Sequence, residues 1–380
     1  MDKYIYNPFQ FGTVVRGENF CNRKEELSVL KSYIKDGYSV WLYSPRRYGK
    51  SSLIQKAFSE IEGVKTIYFD LYNVKSLDDF SKKYAALIAK NLFSWKQEIK
   101  KLTNNFSQYF KNLSPVVSFD HNGAPSFTLN VGRIAQQVDV ETILNIPQQI
   151  SNEIEQPICI AFDEFQEIER IEPFLINWMR SSFQQHENVS YVFLGSEQSL
   201  MEMIFTSNRS PFYEFAVKMS INPIGKDDLE HFIDEKFKQK GLEITRKNIE
   251  AILEKSERHP HFTQFFASVV FDFIRNGVNQ NDVNFTDLWI EKIIQSQSFI
   301  LQGIFDQLTN TQRAVFSTIA VIMKDEELFS SYARKKYYLP ASSSVAAAID
   351  SLIKKGLIVK KDKQYKILNP VFTAWLRTLS

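Results

Sequence analysis

Up to Ile221 the chain alternates short apolar runs with longer stretches whose apolar positions recur at helical spacing. The runs are Ser39–Tyr43 (SVWLY), Val64–Leu71 (VKTIYFDL), Ile158–Asp163 (ICIAFD), Ser190–Leu194 (SYVFL) and Val217–Ile221 (VKMSI). Each is rich in β-branched or aromatic side chains and too short for a helix, so each predicts a strand. Helical periodicity marks Arg23–Ile34, Ser51–Ile61, Leu77 to about Lys101, and Glu172 to about His186. Apolar strands separated by amphipathic helices imply a mostly parallel sheet covered on both faces. One segment departs from this pattern. Within Val116–Val131 (VVSFDHNGAPSFTLNV) two strand-like runs flank Asn122-Gly123, a dipeptide that supplies the positive φ angles of a tight turn. It predicts a hairpin inserted at about residues 114–133.

After Pro223 the strand pattern stops. Lys226–Gln239, Thr245–Glu257 and His261–Arg275 read as amphipathic helices and predict a helical lid. From Leu308 a third unit begins, with helices at Thr311–Met323 and Ser343–Lys355 and a hairpin at Leu357–Leu368 (LIVKKDKQYKIL). Helices followed by a small hairpin predict a winged helix. In its second helix Val345, Ile349, Leu352 and Ile353 share one face, the expected core side. The expected domains are residues 1–224, 225–306 and 307–380.

Composition adds few constraints. Hydrophobic residues at 44% and charged residues at 24% are ordinary for a globular chain, and 32 phenylalanines suit a large core. Two cysteines, Cys21 and Cys159, exclude a disulfide framework and a cysteine-rich metal site. Met1–Phe11 has no signal-peptide pattern and no apolar run reaches membrane-spanning length, so the cytoplasm is the expected compartment. Charge is more informative by position than in total. Ser330–Lys366 holds nine basic and two acidic residues, a local +7 in a chain whose net charge is +2. That patch fits nucleic acid or another acidic partner.

The first strand leads into Ser44-Pro45-Arg46-Arg47-Tyr48-Gly49-Lys50-Ser51, and a helix follows. A phosphate-binding loop reads G-x-x-x-x-G-K-[ST] because its backbone N–H groups must converge on a phosphate at a helix N-terminus. Gly49 permits the close approach, Lys50 reaches the β- and γ-phosphates, and Ser51 offers its hydroxyl to Mg2+. Ser44 stands where the pattern has its first glycine, so it must either avoid positive φ or accept strain. Residues 44–52, ending at Ser52, are the expected nucleotide contacts.

A second element completes the pattern. Ile158–Asp163 ends in Asp163-Glu164, which places two carboxylates at the C-terminal edge of a buried strand, where ligands bind in open α/β sheets. Asp163 is expected in the Mg2+ shell and Glu164 as the group that polarises the attacking water. The same pair also fits an ordinary helix N-terminus. Val64–Leu71 lies between the loop and Asp163 in chain order, an arrangement of the additional-strand (ASCE) P-loop ATPases. Ser196, just past the fourth strand, is the candidate sensor of the γ-phosphate. Glu164, Lys50 and Ser196 are therefore the expected catalytic residues, and ATP with Mg2+ the expected cofactors.

These pieces resemble the archaeal-type ATPase family of the STAND/AAA+ group. The matching residues are Asn7-Pro8-Phe9, Gly17-x-x-Phe20-x-x-Arg23-x-x-Glu26-Leu27, Pro45–Leu53 (PRRYGKSSL), Phe162–Gln166 (FDEFQ), Gly195–Gln198 (GSEQ) and His259-Pro260. The resemblance runs from residue 7 to about 265 and implies an ATPase. It implies that Asn7, Pro8, Phe9, Phe20 and Arg23 line the adenine pocket, and that His259-Pro260 couples the lid to the nucleotide. His259 also fits a plain helix cap. Relatives often have glycine before this histidine; here it is Arg258. Relatives also often carry an arginine after an aromatic in the segment matching Pro211–Phe215, and this chain has none there. Arg180 and Arg209 are the substitutes that remain.

The C-terminal unit leaves its partner open. Ser343, Ala346, Asp350 and Ser351 on the outer side of its second helix are poor base readers, whereas Arg334–Lys336 and Lys354–Lys366 suit DNA phosphates. A protein-docking or lid-supporting winged helix fits as well as DNA binding, and a solvated basic face is the remaining reading. The leading expectation is an ATP-hydrolysing switch, with an ATP-dependent homo-oligomer within its range. A slow nucleotide-binding scaffold and a DNA-binding regulator that uses nucleotide structurally are the alternatives.

Overall fold

The computed structural model describes residues 5–15, 17–92, 113–119, 125–131, 137–323, 326–361 and 364–379. The chain divides into two compact units, one of Arg16–Asn222 and one of Met1–Val15 with Pro223–Ser380.

The first unit contains β1 (Val40–Tyr43), β2 (Lys65–Asp70), β3 (Leu113–Phe119), β4 (Pro125–Val131), β5 (Ile158–Asp163), β6 (Val189–Leu194) and β7 (Val217–Ser220). Five of them form one parallel sheet in the order β2-β5-β6-β1-β7. In space β6, not the β2 segment, stands between the loop strand β1 and the carboxylate strand β5, while β2 lies at the edge. β3 and β4 pair antiparallel, as a hairpin insertion requires. Its expected turn, Asn122-Gly123, lies outside the described residues.

Strand alternation sorts the core onto two faces. Ile158, Ile160 and Phe162 of β5 join a cluster with helices Leu77–Leu92, Gln137–Ile154 and Leu175–Phe183. Cys159 and Ala161 point the other way, against Leu53, Ile54 and Ala57 of helix Lys50–Glu60 and Leu30 and Ile34 of helix Lys24–Lys35. Aromatic rings fill the first cluster. Phe162 lies parallel to Phe193 at 6.0 Å, and Phe183 stacks on Tyr191 at 3.8 Å. Each such buried ring contributes roughly 1.5–3 kcal/mol, which explains the abundance of phenylalanine.

Some boundaries move for physical reasons. The helix expected from Glu172 instead falls into Ile168–Ile171 and Leu175–Phe183, because Pro173 forces Glu172 to extended geometry at φ −161°. Helix Gln137–Ile154 has no clear signature in the sequence, since Pro147 lies inside it. Residues 93–101 of the expected long helix lie outside the described residues.

One buried group in this unit makes the stability pH-dependent. His186 Nδ1 lies 2.5 Å from the Tyr191 hydroxyl and Nε2 lies 2.8 Å from Asn145 Oδ1, a pairing that a neutral ring satisfies. Burial lowers its pKa from 6.5 to about 4. Between those values the unfolded chain binds the extra proton, so this contribution to stability is full above pH 6.5 and is lost as the pH falls towards 4. Thermal melts should show a steeper loss over that interval for the wild type than for His186→Gln. Parallel curves would contradict this assignment.

The second unit holds helices Lys226–Lys238, Arg246–Lys255, Pro260–Arg275 and Phe285–Asp306. Helices Asn310–Val321, Ser331–Lys336 and Ser342–Lys354 follow, then the antiparallel pair β8 (Ile358–Lys361) and β9 (Gln364–Ile367) and a closing helix, Pro370–Thr378. Phe285–Asp306, Ser331–Lys336 and Pro370–Thr378 are additions to the expected set. Val345, Ile349 and Leu352 are buried as expected. Ile353 is not: it is exposed, and Ala348 takes the buried place beside Ile349. Leading residues are stapled into this unit as well. Asn7 Nδ2 donates to the Ser268 carbonyl and to Asp272 Oδ1, both at 2.9 Å, while Phe9 sits among Phe232, Phe237 and Phe271.

Candidate functional site

The site is built at the C-terminal ends of β1, β5 and β6, three neighbouring strands. After β1 the chain turns through Ser44–Gly49 into helix Lys50–Glu60. The turn needs left-handed residues, and they are Arg47 at φ +64° and Gly49 at φ +89°. Ser44 is not among the positive-φ residues, so a serine at the first loop position fits without backbone strain. It is buried, together with Lys50 and Ser52. Arg46 and Arg47 are exposed, while Pro45 and Tyr48 are half-buried.

Lys50 Nζ donates to the carbonyls of Ser44 (3.0 Å) and Pro45 (3.1 Å). Its ammonium is thus held across the loop by dipoles alone, with no direct ion pair among the described residues. Burial lowers its pKa from 10.5 to about 8, opposed by the charges of Asp163 and Glu164.

The period of β5 explains how Asp163 enters. Cys159 and Ala161 face helix Lys50–Glu60, and Asp163, two residues on, meets the start of that helix. Ser51 Oγ donates to Asp163 Oδ2 at 2.6 Å, and the Tyr68 hydroxyl from β2 donates to the same oxygen. The Glu164 amide donates to Oδ1 at 2.9 Å. Burial, and then the Asp163 charge, push the Tyr68 phenol well above its ordinary pKa, so it is a donor. Tyr68 is absent from the sequence-based expectation. Its signal was the side-chain alternation of β2, which sets Tyr68 on the same face as Ala161 and Asp163.

Glu164 follows at φ +53°. Its Oε2 accepts from Ser196 Oγ at 2.7 Å, Ser196 N at 3.2 Å and Gln166 Nε2 at 2.5 Å. Ser196 is carried there by β6, the strand beside β5. The structure therefore brings Ser44, Lys50, Ser51, Asp163, Glu164 and Ser196 together.

Arg23 reaches this region from behind the loop. One guanidinium nitrogen donates to Glu26 Oε1 and the Asn222 carbonyl, and the other to the Tyr48 carbonyl, all at 2.9 Å. Arg23 is buried, with φ +91°, and its burial lowers its pKa against the pull of Glu26. Of these three bonds, the one to the Tyr48 carbonyl braces the loop. Phe20 packs half-buried on the helix-side cluster.

Asn7, Pro8, Phe9, His259 and Pro260 belong to the second unit. There His259 caps helix Pro260–Arg275, with Nδ1 accepting from the His261 amide at 3.2 Å. Arg258 is left-handed at φ +56°, which explains why glycine suits that position. Of the two substitute arginines, Arg180 is engaged inside the first unit. Its Nε donates to the Pro211 carbonyl at 2.9 Å and its guanidinium lies 4.8 Å from the Phe215 ring centre. Arg209 is exposed.

Among the described residues no helix is long and apolar enough to cross a membrane, and no group of three or more His, Cys, Asp or Glu is placed to hold a metal ion. Asp163 and Ser51 form a smaller, mixed oxygen pair.

Comparison with known proteins agrees with this architecture. The chain is similar in fold to the Walker-type ATPase PABY2304 of Pyrococcus abyssi, with TM-score 0.66 and 19% identity over 97% of this chain and 99% of the other. It is also similar in fold to the ORC2 protein of Aeropyrum pernix, solved as ADPNP-ADP complexes, with TM-score 0.54 and 10% identity over 95% of each chain. None of the curated proteins searched matches the chain. The family described as "probable winged helix domain" matches residues 299–378. The family described as "ATPase domain predominantly from Archaea" matches residues 20–260, which span β1 to β7 and every residue of the loop–carboxylate cluster. With a parallel P-loop sheet, and a winged helix at its C-terminal end, this chain belongs to that archaeal-type ATPase family.

Proposed function

We propose that the chain binds ATP with Mg2+ at residues 44–52 and hydrolyses it to ADP and phosphate, as a switch that sets the state of its helical and winged-helix parts. The observation that carries this reading is the convergence of Lys50, Ser51, Asp163, Glu164 and Ser196 on three adjacent strand ends. The ADPNP-ADP complexes of the ORC2 protein accord with a nucleotide in a site of this fold.

The residues present fit both groups. Lys50 is a desolvated cation hydrogen-bonded to neutral loop oxygens, so a phosphate would supply the missing counter-charge. The Ser51 hydroxyl and Asp163 carboxylate are the hard oxygen donors that Mg2+ takes. Mg2+, when bound, neutralises negative charge on the phosphates. The protein's own part is then divided. Lys50 and the loop amides hold phosphate, and Ser51 and Asp163 hold the metal. Glu164 accepts a proton from water at Oε1, while Ser196 anchors its Oε2. Phe20 and Arg23 line the adenine pocket, and Arg23 also braces the loop. Asn7, Pro8, Phe9, His259 and Pro260 act through the helices of their own unit. We place the ATPase core within residues 1–224, its first fifteen residues being grouped with the second unit, the lid at 225–306 and the winged helix at 307–380.

The direct test is ATP binding by Lys50→Ala. Loss of charge-assisted bonds worth about 1.5–3 kcal/mol each should weaken ATP binding by at least about tenfold. Calorimetric titration giving wild-type affinity would sink the reading.

We also propose that the winged helix touches DNA through phosphates rather than base edges. Its helix Ser342–Lys354 exposes Ser343, Ser344, Ala346 and Ala347, whereas Lys335, Lys354, Lys355 and Lys360 are exposed cations of the same unit. Removing Lys354 and Lys355 together should weaken binding equally across sequences and lower the salt slope by about 2. Binding that is insensitive to salt would rule this out.

A further inference from the structure

We propose that Gln166 is a positioning residue for Glu164, an inference that rests on the hydrolysis reading above. Gln166 lies in the short 3-10 turn Phe165–Glu167 after β5 and is 8% exposed. Its Nε2 donates to Glu164 Oε2 at 2.5 Å and lies 3.5 Å from Ser196 Oγ. With Ser196 this gives Oε2 three donors, while no bond reaches Oε1 among the described residues. One oxygen of the carboxylate is thus pinned and the other left open. That division suits a base that must be held still and yet accept a proton.

The amide's orientation follows from charge. Reversing it would set the Gln166 carbonyl against the Glu164 carboxylate, so the NH2 end must face Glu164. As a consequence Oε1 turns into the interior, where it is buried and has no hydrogen-bond partner among the described residues. Room for it exists because residue 195 is glycine: an alanine Cβ there would lie 2.5 Å from Gln166 Oε1 and 2.5 Å from Met201 Sδ. An apolar side chain of the same shape would fill this place with no orphaned carbonyl. A buried polar group left half satisfied beside a reactive carboxylate is the pattern of a residue held for function rather than stability. Ser196 alone would anchor Glu164 from one strand end and leave it free to pivot towards Gln166.

Gln166→Met keeps the volume and removes both polar ends. It should lower kcat by about 10- to 100-fold, with KM for ATP and affinity for ADP within about twofold, and a thermal midpoint equal to or above wild type. Gln166→Glu, the same size, sets a second carboxylate against Glu164 and should lose at least as much kcat. Gly195→Ala, which displaces the amide, should reproduce the kcat loss. In a Glu164→Gln background Gln166→Met should add nothing further, because both act through one group. Wild-type kcat in Gln166→Met overturns this inference alone. A fall in thermal midpoint in step with kcat also overturns it, by reducing Gln166 to a structural residue. Absence of turnover in the wild-type chain, alone or with DNA, defeats the hydrolysis reading and this inference with it.

Discussion

Glu164→Gln is expected to lower ATP turnover by about 10²- to 10⁴-fold and to leave the fold and nucleotide affinity nearly unchanged. The geometry makes this a clean substitution. A glutamine amide can turn its oxygen to the three donors that now hold Oε2, namely Ser196 Oγ, Ser196 N and Gln166 Nε2. Its NH2 then occupies the position of Oε1. A donor stands where the proposed reaction needs a proton acceptor, and nothing else moves. Nucleotide should remain bound as ATP, since Lys50, Ser51 and Asp163 keep their contacts. Single-turnover assays with direct analysis of the bound nucleotide measure both halves. Turnover within about threefold of wild type would remove Glu164 from the role of base.

The second large effect is on stability. Arg23→Ala should cost about 2–4 kcal/mol, because three acceptors lose a buried donor at once. Glu26 loses its ion pair, and the Tyr48 and Asn222 carbonyls lose their partners. Arg23→Lys should recover less than half of this, since a point charge cannot span three acceptors as a planar fork does. Denaturant unfolding reads the cost, and the loop should report it as well: with Tyr48 unbraced, ATP affinity should fall in the same order of variants. A change below about 1 kcal/mol in Arg23→Ala would show that the fork only decorates the loop.

Much of the fold was legible because it rests on local patterning. The five apolar runs appear as the five strands of the sheet, and the change at Pro223 marks where the second unit resumes. The meeting of Ser51 with Asp163 was also foreseeable. Helix Lys50–Glu60 packs on the face that Cys159 and Ala161 present, and strand period carries that face on to Asp163. Tertiary neighbours were harder to foresee. Nothing local says that Arg23 will meet Tyr48 and Asn222, positions 25 and 199 residues away in the chain. Phe9 reads as part of a motif, yet its ring is spent in a cluster with Phe232, Phe237 and Phe271. Ile353 obeys helical spacing but lies at the margin of the stripe, where Ala348 is the better-covered position. Pro147 hides a helix because it sits within an otherwise regular pattern.

The ordinary φ of Ser44 bears on the entropy of binding. Glycine at that position would give the loop a freely rotating hinge, whose disorder must be surrendered whenever an anion is clasped. A serine whose backbone stays in the common region, fixed in the interior and bonded through Lys50, has already surrendered it during folding. The left-handed positions are confined to Arg47 and Gly49. The strand end of the loop is therefore set before any anion arrives, and the freedom that glycine brings is confined to Gly49 at the helix end.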